Sequence, residues 1–203
     1  MMAHRIWRQR SSAEWGVRGA LALAVAVLGY LSVSYTLANV VKASDPSRAH
    51  SLAPWDGRIT ALLSMKLVSG NPSPADRARA DQHAREALRE DPTAVIAVQT
   101  LATDAVARGD IIAARRLFAY SERLSRRELP TQTWAVQDAV SRGDIRAALR
   151  HYDIALRTSG YASALMFPVL ASAIAEPEVR SELIRTLAAR PPLGGSLHCL
   201  CGR

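Results

Sequence analysis

The side chains with the most chemical potential are five histidines and two cysteines. His4, His50, His83, His151 and His198 are scattered, and no pair has metal-ligand spacing or an HExxH frame. The tail His198-Cys199-Leu200-Cys201 gathers three donors, whereas a structural zinc takes four. In an oxidising compartment those thiols would form a strained disulfide or pair with another chain. The cysteines stand third and fifth from the end, so no prenylation box is formed. No serine sits in a GxSxG turn, and Gly194-Gly195 is too short to cradle phosphate. The carboxylates lie at helix ends and on surfaces, where capping and solubility account for them. The expectation is a protein that is not an enzyme and holds no cofactor or metal. His83 and His151, on charged stretches, are expected to be solvated.

The elements that carry these residues follow from composition. The chain has 203 residues, 49% of them apolar, 22% charged and 5% aromatic. Its 36 alanines favour helix, and strand-length Val/Ile/Thr/aromatic runs are lacking. Only Lys42 and Lys66 are lysines among 26 basic residues, a skew expected of a GC-rich bacterial gene. The expected fold class is all-α. Net charge is +8, yet Arg115-Arg116 and Arg126-Arg127 alternate with Glu122 and Glu128, without aromatic interleaving. No nucleic-acid partner is expected.

Residues 1–18 carry Arg5, Arg8, Arg10 and Arg18. Residues 19–41, Gly19 to Val41, hold no charge. A helix of that length reaches about 35 Å, enough to span a hydrocarbon core of about 30 Å. Four arginines before the span outweigh Lys42 and Arg48 after it. The N-terminus is therefore expected in the cytoplasm, with the remainder periplasmic at a bacterial inner membrane. A signal peptide cleaved after Ala43 is the alternative, although its apolar region would be unusually long. Residues 42–57 (KASDPSRAHSLAPWDG) have no apolar period and read as a linker. Eight helices are expected across 58–192, separated by breaks that include Gly109-Asp110, Leu129-Pro130-Thr131 and Gly143-Asp144. Residues 193–203 change composition abruptly and read as an unstructured tail, with an altered or truncated natural C-terminus expected.

Those breaks keep time. Ala75-Asp76, Gly109-Asp110, Gly143-Asp144 and Pro177-Glu178 recur every 34 residues. Gly109, Ala114 and Phe118 keep step with Gly143, Ala148 and Tyr152, and Ala155 follows. Small residues let paired helices approach, and a large residue one turn later fills the gap between pairs. Ala87 to Pro92 reads as the end of one such unit.

This pattern over residues 58–190 resembles the tetratricopeptide repeat. The family's Trp and Gly-Tyr signature is mostly absent; Leu101-Ala102 with Ala105 comes nearest. The resemblance implies an α-solenoid of about four helix-turn-helix repeats whose first helices line a groove. Gln99, Thr103, Val106, Thr133, Gln137 and Val140 would face it. It lacks the Lys/Asn/Arg set with which some family members clamp a terminal carboxylate. The implied ligand is an extended or helical protein segment, held by shape and apolar contact. Similar anchored proteins serve as scaffolds in envelope assembly, secretion or polysaccharide export. A self-assembling structural subunit is the alternative, since an uncapped last repeat would expose apolar surface to another copy.

Overall fold

The computed structural model describes residues 12–188, which form ten helices and no strand. Helix α1, Ser12–Val41, is 30 residues long and is the one described helix long and apolar enough to cross a membrane. It begins before the expected span. Leu21, Leu23, Val25 and Leu28 are exposed along it, whereas Ser34 and Ala38 near its end are buried.

Residues 42–57, read above as a linker, fold into a packed elbow. Asp45 caps helix α2, Pro46–Leu52, by accepting from the Ser47 and Arg48 amides, with Pro46 opening the first turn. Ala49 and Ala53 are fully buried with Ala38 of α1 and Ile59 of helix α3, Gly57–Leu67. An apolar period is invisible here because alanine supplies nearly all the contact. Lys66 Nζ pairs with Asp45 Oδ1 at 3.1 Å, tying α3 back to the elbow.

Helix α4, Pro74–Glu90, starts with a reciprocal cap between Ser73 and Asp76. It packs along α3 so closely that Gly57 admits no side chain: an added Cβ would lie 2.7 Å from the Ala87 carbonyl oxygen. Helices α5, Val95–Ala107, and α6, Ile111–Leu124, make the next pair, and α7, Leu129–Ser141, and α8, Ile145–Thr158, the one after. Helices α9, Ala162–Ala173, and α10, Pro177–Ala188, both pack against α8. Leu129-Pro130-Thr131, expected as a break, is the first turn of α7, where proline's missing N–H is harmless.

The two central pairs match in detail. Helices α5 and α7 have 13 residues each, and α6 and α8 have 14 each. Gly109 and Gly143 turn between them at φ +76° and +72°. The next amides, of Asp110 and Asp144, each donate to the carbonyls of Ala105 and Ala139 at 2.9 Å. Both carboxylates then accept from an amide three residues on, Ala113 or Ala147, at 2.9 Å. The far ends also agree: Asp91, Ser125 and Ser159 donate to Ala87, Ser121 and Ala155 at 2.8, 2.9 and 3.0 Å. Asp76 leaves the series, because Ser73 rather than Asp76 is the cap.

Packing follows the same register. Ala80, Ala84 and Ala87 of α4 are buried, as are Ala114, Phe118 and Ser121 of α6 and Ala148, Tyr152 and Ala155 of α8. Small residues bring backbones together, and Phe118 and Tyr152 occupy the wider gaps. In α10 the corresponding Glu182 is half-buried and pairs with Arg146 (3.0 Å) and with Arg185, while Leu183 turns into the core.

Candidate interaction surface

The six expected groove residues differ in exposure. Gln99 is buried, and its Nε2 donates to Thr131 Oγ1 at 3.1 Å across α5 and α7. Thr133 is half-buried, its hydroxyl donating to the Leu129 and Pro130 carbonyls. Thr103, Val106, Gln137 and Val140 are exposed. Thr103 lines a cleft of about 170 Å³ with Val68, Pro72, Arg77 and Asp104. Helical position alone put Gln99 with the exposed residues; its side chain turns instead to Thr131 in the first turn of α7.

Gln99 belongs to a polar seam through the core. Thr131 receives its amide and lies 2.7 Å from Ser121 Oγ, which joins α5, α6 and α7. One residue on, the fully buried Gln132 accepts at Oε1 from His151 Nδ1 at 2.8 Å, joining α7 to α8. Ser64 Oγ likewise donates to Thr100 Oγ1 at 3.1 Å between α3 and α5. Buried polar groups need such partners, and the need fixes which faces meet.

His151 is thus a core residue, contrary to the solvated role expected of it, since α7 closes over the face that the sequence marks as charged. Burial holds its pKa below the ordinary 6.5; Glu122 opposes this, and Arg150 and Arg142 reinforce it. His83 is half-buried against His50, with ring centroids 5.5 Å apart. His50 Nδ1 lies 3.2 Å from Thr60 Oγ1, and burial followed by the neighbouring His83 lowers its pKa. Among the described residues no three His, Cys, Asp or Glu side chains are placed to hold a metal ion. The tail donors His198, Cys199 and Cys201 lie outside the described residues.

Two clefts open around the α6–α7–α8 junction. The first, about 210 Å³, has Trp134 and Phe118 in its wall, stacked with centroids 4.4 Å apart and planes at 18°. Asp138 lies in it, almost buried, between Arg115 (2.8 Å) and Arg142 (3.2 Å). Glu122 and His151 complete the wall. The second cleft, about 410 Å³, is lined by Glu122, Arg123, Arg126, Arg150 and Ile154. Glu122 is common to both. The arrangement offers an aromatic surface beside guanidinium groups.

Sequence reasoning overlooked Asp138, Trp134 and these arginines as site residues. One signal was available: Asp104 with Arg108 and Asp138 with Arg142 are acid–arginine pairs separated by the repeat period, and both are ion pairs in the structure. No protein-family model matches the chain, and no curated protein matches it.

Proposed function

We propose that the chain is a membrane-anchored helical-repeat scaffold that binds other proteins at the outer face of a bacterial inner membrane. In this reading α1 spans the bilayer with its N-terminus in the cytoplasm, and residues 58–188 form an α-solenoid of tetratricopeptide type in the periplasm. The observation that carries the reading is the 34-residue recurrence of whole helical pairs, with matched lengths, matched glycine turns and matched caps. Stacked pairs of this kind make extended surfaces suited to protein segments. Exposed Thr103, Val106, Gln137 and Val140 on the first helices are the proposed contact residues. The exposed apolar length of α1 supports the anchor, because such a surface needs a non-aqueous cover.

A photo-crosslinking residue at Gln137 in cells tests the reading. The expected result is a discrete protein adduct that Val140→Trp abolishes; absence of any adduct, or indifference to Val140→Trp, would overturn it. Alkaline phosphatase fused after Arg190 tests the orientation. Activity is expected, and silence from a stable fusion would place the domain in the cytoplasm.

A second reading, self-assembly, rests on α9. Ala162, Met166 and Leu170 are buried, while Tyr161, Leu165 and Val169 are exposed along a second face at helical spacing. Concentration-dependent mass in analytical ultracentrifugation of the detergent-solubilised chain would favour it.

A further inference from the structure

At the α6–α7–α8 junction Arg115 and Arg142 meet the Asp138 carboxylate. Arg123, Arg126 and Arg150 converge on the larger cleft without an ion-pair partner among the described residues, and all three are exposed. Arg123 instead lies over the Tyr120 ring at 5.6 Å. The cleft's one acid, Glu122, has its Oε1 3.9 Å from His151 Nδ1. Next door, Asp138 is shared by Arg115 and Arg142, and with Glu122 in the same wall that cleft is balanced in charge, so the excess positive charge lies in the larger one. Like charges converging in one concavity repel in the free protein, and an anion entering it relieves the repulsion.

The charge is interrupted. Glu122 and Asp138 stand among the guanidinium groups and would repel a continuous polyphosphate. Trp134 offers one aromatic surface, whereas single-stranded nucleic acid needs a series of them. Arginine and tryptophan together are the residues that dominate protein interfaces.

We propose that this junction is the docking site for an acidic protein segment. Its carboxylates enter the Arg123–Arg126–Arg150 cleft, and an apolar side chain lies against Trp134. The proposal rests on the scaffold reading and narrows it to one partner chemistry.

The test uses the full chain in detergent and a fluorescent peptide of about twelve alternating glutamates and leucines, with a lysine–leucine peptide as counterpart. Anisotropy is expected to rise with the acidic peptide alone, and the affinity to fall when salt goes from about 50 to about 300 mM. Arg126→Glu with Arg150→Glu should weaken binding by about tenfold or more, as should Trp134→Ala, while Arg89→Glu on α4 should not. Helical content by circular dichroism establishes that each variant is folded. Equal binding of both peptides, indifference to the double reversal, or tighter binding of a single-stranded oligonucleotide would each overturn the proposal. If Gln137 adducts persist in the double-reversal variant, this inference fails while the scaffold reading stands.

Discussion

At the scale of single residues, the two glycine turns and the buried histidine make the firmest statements. Gly109 and Gly143 occupy a backbone region that a Cβ disfavours, although nothing crowds the space around them. Gly109→Ala and Gly143→Ala should each destabilise the chain by about 1–2 kcal/mol, read as a lower midpoint in thermal unfolding. Gly160, also uncrowded but without a positive φ, should tolerate Gly160→Ala with little change. The histidines set a pH dependence. His50 and His151 hold protons less readily when folded than the ordinary 6.5, so the unfolded chain binds more protons just below that pH. Their contribution is complete above 6.5 and is lost progressively as pH falls toward their depressed folded values. The melting temperature should therefore drop between about pH 7.5 and pH 5.5, and His151→Gln should flatten the drop. Equal slopes in the two proteins would refute the assignment to His151. None of this was legible for His151 in the sequence, because its neighbours in the chain are charged and its partner Gln132 lies on another helix.

At the scale of elements, much of the helix pattern was readable, and some of the joints were not. Breaks at Gly109-Asp110 and Gly143-Asp144 announced themselves through residues with a local physical role, and Asp110 and Asp144 cap as acids there should. Asp110→Ala and Asp144→Ala should each reduce stability by about 1 kcal/mol, measured by denaturant titration. The elbow escaped notice because alanine carries no strong hydrophobic period, yet Ala49 and Ala53 bury completely. The start of α7 escaped because a proline reads equally as a stop or as a first turn. The exposure of the expected groove residues was only partly readable. Position on a helix tells which residues share a face, but not which of them finds a buried partner, as Gln99 does at Thr131. Gly57→Ala examines the tightest joint: with Ala87 O at 2.7 Å, α3 and α4 must separate, and a loss of about 1–3 kcal/mol is expected.

For the whole molecule, the exact register of the two central pairs makes a deletion informative. Removing residues 110–143 joins Gly109 to Asp144 and recreates the same dipeptide at the same kind of turn. In a structure whose units contact mainly their neighbours, the shortened chain should keep its helical signal and melt cooperatively at a lower temperature. Collapse of the helical signal would indicate that the pairs are not interchangeable units. The deletion also removes Arg115, Arg123, Arg126 and Trp134, so a folded product should no longer bind an acidic peptide.

The elbow has a mechanical consequence. A slack tether lets a domain tumble above its anchor and sample many heights and headings. Here the end of α1, helix α2 and the start of α3 share one buried cluster, and Lys66 braces α3 against Asp45. If α1 is held in a bilayer, as proposed, turning that helix about its axis would swing the domain like a crank, and the proposed docking face would keep a set heading. Two copies whose anchors met along one side would then present their surfaces at a fixed relative angle, so contacts made within the lipid would be reported as geometry outside it.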